Sequence, residues 1–216
     1  TPRQAAGYTD PLMSPTPLAA EPTEQLGDRV NLRAVLRAAT ADLHAHIDRA
    51  MPLARSAPTL ADYLTHLLLL RDWLGALGQS MSGLNGLADE QAAVLADAEQ
   101  AAALIGHTVP APRDAAGAEQ AALRALDDGA HADAARLGVR YVIEGSHLGG
   151  KVLRRRWGER LAPHPLGYLG GGAPDRWPAF LNELAAARSS DERAAACAAA
   201  VLAFQLLQRL ADARAP

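Results

Sequence analysis

The 216 residues carry 21 basic and 24 acidic side chains, a net charge of -3 that excludes a general electrostatic pull toward nucleic acid or an anionic membrane. Hydrophobic residues make up 49% of the chain but aromatic ones only 4%, so the core must be built from Ala, Leu and Val, which favours helices over strands. The length suits one domain with a tail.

Residues 1–28 hold Pro2, Pro11, Pro15, Pro17 and Pro22 among small and polar residues, which predicts a flexible Pro-rich tail, with a single helical domain from 29 to 216. From Asn31, a candidate N-cap, Leu32, Leu36, Leu43 and Ile47 mark one face of an amphipathic helix that ends near Met51-Pro52. Thr59 caps a second helix through Tyr63, Leu67, Leu70, Leu74 and Leu77 to about Met81. Its stretch Leu67 to Leu70 is the most apolar in the chain, but His66, Arg71 and Asp72 interrupt it. No membrane span and no signal peptide is therefore expected, and the expected location is cytoplasmic. Further helices are expected at about 88–105, 115–128, 132–160, 175–187 and 190–213, separated by Pro110-Ala111-Pro112, Asp128-Gly129 and a glycine-rich loop from Pro163 to Pro174. Cys197, the single cysteine, lies in an alanine-rich helical run and can form neither an intramolecular disulfide nor a Cys-based metal site, which fits a reducing compartment. The sum is an all-α bundle, expected to be monomeric.

On the first helix, Arg33, Arg37, Thr40, His44 and Asp48 form one polar stripe beside the apolar face. A neutral imidazole at His44 can ligate heme iron, and Asp48 one turn later can receive its other ring N–H. Arg37 and Arg33, two and three turns toward the N-terminus, can meet carboxylates at a heme edge. The same stripe also describes the wet side of any amphipathic helix. His46, about 200° round the helix from His44, is no chelating partner.

The segment from Gly138 to Leu153 places Gly138, Gly145 and Gly149 on one helix face, with Gly150 adjacent. Three interior glycines within six residues cost roughly 3 kcal/mol relative to alanine and require an offset. A flat ligand approached by bare backbone, a closely packed helix, or an anion-binding loop would each supply one. Gly145 to Lys151 fits G-x-x-x-x-G-K, and residues 139–143 could be the preceding strand, yet Val152 stands where a phosphate-binding loop needs Ser or Thr.

Leu36-Arg-Ala-Ala-Thr-Ala-Asp-Leu-His44 and Tyr141-Val-Ile-Glu-Gly-Ser-His-Leu-Gly-Gly-Lys-Val-Leu153 together resemble the heme oxygenases, and Tyr63 in Ala61-Asp-Tyr-Leu and the Phe204 helix also look similar to that family. The resemblance runs from about 30 to 213 and looks closest to bacterial members, including those that supply bacteriophytochromes. It implies an all-α heme-oxygenase-like fold in which a proximal histidine and a kinked, glycine-rich distal helix enclose heme. His44 matches the proximal iron ligand, Asp48 its supporting carboxylate, and Arg37 a basic propionate contact. Gly145 and Gly149 match the distal glycines, with Gly150 beside them at the heme. Ser146 stands where mammalian-type members have an aspartate that organises proton delivery, and it cannot supply a charge. His147, next to it, is expected on a different side of the helix.

The implied reaction is oxidative cleavage of heme, both substrate and cofactor, to biliverdin, ferrous iron and carbon monoxide with dioxygen and an external electron donor. A heme carrier of the same fold without turnover is the alternative. Lys151, Arg154, Arg155, Arg156 and Arg160 form a basic cluster suited to an acidic donor such as a ferredoxin, or simply a solvated face. A bacteriophytochrome is a candidate biliverdin acceptor. Arg176, near Trp177 and Phe180, is a further candidate for the heme edge, whereas Phe204 and Leu207 are expected to be ordinary core.

Overall fold

A computed structural model describes residues 31–173 and 175–214. The predicted N-terminal tail lies outside the described residues. Among the described residues eight helices follow in order: α1 (Leu32–Ala50), α2 (Leu60–Ser80), α3 (Leu87–Leu104), α4 (Ala118–Asp127), α5 (Ala132–Trp157), α6 (Gly167–Gly170), α7 (Arg176–Leu184) and α8 (Ser190–Asp212), with a short 3-10 turn at Pro52–Ala54. Among the described residues there is no strand. The all-α expectation therefore holds, and the predicted helices lie within a few residues of the observed ones.

Local chemistry sets the ends of the helices. Asn31 Oδ1 accepts the backbone N–H of Arg33 at 3.0 Å and starts α1, which stops where Pro52 opens the 3-10 turn. Thr59 and Asp62 form a reciprocal capping box at α2, and Ser189 with Glu192 repeats it at α8.

Helix α8 is the hub: it packs against α1, α2, α4 and α5. Its buried face is small, with Ala196, Ala199, Ala200 and Ala203 fully inside, so neighbouring backbones come close. At Gly138 of α5 an added Cβ would sit 2.0 Å from the carbonyl oxygen of Ala196. That glycine is thus explained by helix packing. The buried Trp73 indole of α2 donates to the Ala203 carbonyl at 2.9 Å, fixing α2 on the other flank. Among the described residues α8, rather than the Leu67 region, is the helix long and apolar enough to cross a membrane, and half of its most apolar window is buried in the core.

Helix α5 runs unbroken from Ala132 to Trp157, so residues 139–143 are helical and no strand precedes Gly145. The phosphate-loop alternative is thereby removed. The loop expected from Pro163 to Pro174 contains the one-turn α6, whose Leu169 backbone approaches Gly150 so closely that a Cβ there would meet it at 3.2 Å.

Candidate functional site

At Gly138 and Ala196 α5 and α8 touch; toward the C-terminal end of α5 a cavity of about 680 Å³ opens, lined from α1, α2, α5, α6, α7 and α8. That volume is in the range of cofactor sites, ~300–1,000 Å³. Its lining is mostly apolar, with polar groups concentrated on α1.

The whole stripe predicted on α1 faces this cavity: Arg33, Arg37, Thr40, His44 and Asp48 all border it. Thr40 is buried and its hydroxyl donates to the Leu36 carbonyl at 2.8 Å, so it belongs to the helix wall. His44 Nδ1 lies 2.9 Å from Asp48 Oδ2, and both side chains remain more than half exposed. With Nδ1 engaged by the carboxylate, Nε2 is the ring nitrogen left to bind a ligand. The Phe204 ring meets the His44 imidazole edge-on at 6.0 Å between centroids, limiting its tilt. His46 does not border the cavity.

Opposite α1 lies the glycine segment. Gly145, Gly149 and Gly150 all border the cavity, but for different reasons. A Cβ added at Gly145 or Gly149 would meet nothing within 4 Å, so these two leave open space where side chains would intrude. Gly150 instead makes room for α6, and Gly138 for α8. The common face read from spacing is real, yet its glycines split between packing and cavity.

Ser146 borders the cavity, but its hydroxyl donates to the Ile143 carbonyl at 2.7 Å and is spent within its own helix. Arg176 does not reach the cavity. Its guanidinium bonds the buried carboxylates of Glu144, at 2.6 Å, and Glu90. Burial alone would lower its affinity for the proton, but the two carboxylates reverse this and raise its pKa. Arg176, expected at a heme edge, is instead placed between α3 and α5, where these two buried carboxylates hold it.

Further residues that helix periodicity alone does not mark as site residues complete the cavity wall. Phe204 and Leu207 of α8 are buried yet form part of the cavity wall. His66, Leu70 and Trp73, spaced i, i+4, i+7 on α2, close another side. His66 is fully buried, its Nδ1 has no hydrogen-bond partner, and desolvation pushes its pKa down to about 4. Tyr141 stands beside the arginines of α1; burial raises its pKa while Arg33 and Arg37 pull the other way.

Among the described residues no group of three or more His, Cys, Asp or Glu side chains is arranged to hold a metal ion. Lys151, Arg154, Arg155, Arg156 and Arg160 follow the glycine segment, and none forms a salt bridge among the described residues. Arg156 stacks on Trp157 and Arg160 caps the Pro58 carbonyl. Comparison with protein-family models, with curated proteins and with solved structures finds no match for the chain.

Proposed function

We propose that the cavity between α1 and α5 holds heme and that the protein is a heme oxygenase. The observation that carries this reading is the pairing, across one cavity of about 680 Å³, of an imidazole fixed through Nδ1 with two glycines whose missing side chains leave open space. A lone His with one supporting carboxylate is too few ligands for a bare ion, but it suits a metal whose other positions are filled by a macrocycle. The apolar walls from Leu70, Trp73, Leu207 and Phe204 fit a flat aromatic body.

In this reading each side chain has a separable task. Asp48 holds the His44 tautomer so that Nε2 presents its lone pair to iron, and Phe204 limits rotation of the ring. Arg33 and Arg37, exposed at the mouth, would engage the two carboxylates of the ligand. Gly145 and Gly149 let the ring approach the α5 backbone, while the α2 and α8 side chains exclude water from its faces. Bound heme supplies the redox-active iron and is itself the substrate, opened with dioxygen and external electrons to biliverdin, ferrous iron and carbon monoxide. The basic run from Lys151 to Arg160, which forms no salt bridge among the described residues, supports an acidic donor such as a ferredoxin.

A carrier without turnover is the second reading, favoured by one observation: the Ser146 hydroxyl donates its one proton to its own helix, which leaves it only as an acceptor toward a ligand. Hemin titration followed by ascorbate or reduced ferredoxin in air separates the two. Conversion of a Soret-absorbing complex to biliverdin establishes the enzyme; a complex that is reduced but never converts establishes the carrier.

A further inference from the structure

A second cavity, of about 530 Å³, lies on the far side of α5 and is bordered by Asp89, Glu90 and Asp97 of α3. Two side chains border both cavities, His147 of α5 and Tyr168 of α6. His147 is nearly buried, and its Nε2 lies 3.1 Å from Glu90 Oε2, although the ring N–H is not aimed along that line. Burial alone would push Glu90 up, but His147 and Arg176 together hold its carboxyl below the usual range. The charged and titratable groups around His147 are Asp89, Glu90 and Asp97 from α3, Glu144 from its own helix, Tyr168 from α6 and Arg176 from α7. Asp97 is occupied, accepting from the Tyr63 hydroxyl and from the Tyr168 backbone N–H at 3.0 Å. Arg176 is likewise committed to its two carboxylates. Tyr168, whose pKa burial raises, has no reason to ionise.

The geometry points to His147, which lies beside Glu90 and borders both cavities, as the proton relay between the outer acidic cavity and the ligand cavity, in place of a carboxylate at position 146. This rests on the heme oxygenase reading. The imidazole takes a proton from a water-borne hydronium in the outer cavity on one ring nitrogen, which leaves water behind. It gives up the proton on its other nitrogen to the ligand cavity, and the ring resets by exchange of tautomers. One proton crosses, and nothing is oxidised or reduced.

The test uses the full chain. His147→Gln keeps polarity and volume but carries no proton; it is expected to bind hemin as the wild type does, judged by the Soret titration, and to convert it at least ~100-fold more slowly, with an altered pH profile and solvent isotope effect. His147→Ala should regain rate with added imidazole. In the heme-free protein, NMR of isotope-labelled histidine should show the His147 ring protons exchanging with solvent much faster than those of the enclosed His66. Wild-type rate and isotope effect in His147→Gln, while the wild type makes biliverdin, would overturn the relay and leave the heme reading intact. Exchange at His147 as slow as at His66 would overturn it whatever heme does. A wild type that binds hemin without converting it removes the relay together with the reading it rests on.

Discussion

His44 and Asp48, one turn apart on α1, are joined by a 2.9 Å contact between Nδ1 and Oδ2 that fixes which ring nitrogen faces the cavity. A carboxylate behind a ligating imidazole orients the ring and raises its basicity. Asp48→Ala should therefore weaken hemin binding about 10–100-fold while leaving the fold intact, because the pair is exposed and contributes at most ~1 kcal/mol to stability. Soret titration and thermal melting of the same variant check both halves.

The glycines of α5 should answer differently to the same substitution. Gly149→Ala places a methyl where nothing lies within 4 Å, and the heme-free protein should gain up to about 1 kcal/mol from helix propensity. Gly149→Leu should be tolerated in the heme-free protein yet reduce hemin affinity at least tenfold by filling the ligand's place. Gly138→Ala should destabilise by ~2 kcal/mol or more, because its Cβ would overlap the Ala196 carbonyl. Equal losses of stability at 138 and 149 would contradict the division of the glycines.

His66 should make stability depend on pH. Its pKa is about 4 in the folded chain against 6.5 when solvated, so below 6.5 the unfolded chain binds the extra proton. Stability is then full above about pH 6.5 and falls as the pH drops toward 4, by an upper figure of roughly 3 kcal/mol. His66→Leu removes the titrating group and the unpartnered Nδ1 together. Its melting temperature should equal or exceed that of the wild type at pH 7 and exceed it more clearly at pH 5. An unchanged pH dependence in this variant would refute the assignment.

Arg176→Ala leaves Glu90 and Glu144, both buried, without their shared cation. Removing one partner of a buried pair costs ~3–5 kcal/mol; with the Arg176 side chain 30% exposed, about 2–3 kcal/mol is expected. Denaturant unfolding measures it. The loss should be smaller in acid, where Glu90, no longer held below the usual carboxylate range by Arg176, takes up a proton more readily in the variant.

Much of this was legible before any coordinates. The spacing of Leu36, Leu43 and Ile47 and the caps at Asn31 and Thr59 are local signals, and they locate α1 and α2 closely. The stripe from Arg33 to Asp48 could be drawn from helix periodicity alone, though periodicity could not say that it faces a cavity rather than bulk water. Long-range contacts were not legible. Gly138 and Gly149 look alike in sequence, and only the approach of Ala196 separates them. Arg176 lies near Trp177 and Phe180 in sequence, but Glu90, 86 positions away, decides where its charge goes. In the sequence His66 is a break in an apolar run, and its i, i+4, i+7 relation to Leu70 and Trp73 is the local signal that places it on the cavity wall.

The most direct test of the central claim is a hemin titration of the wild type and of His44→Ala, following the Soret band. The account predicts a one-to-one complex in the wild type, a loss of affinity of at least about a hundredfold with a changed ferric spectrum in the variant, and recovery of that spectrum with added imidazole. An unchanged spectrum and affinity in His44→Ala, or no complex with the wild type, would contradict it.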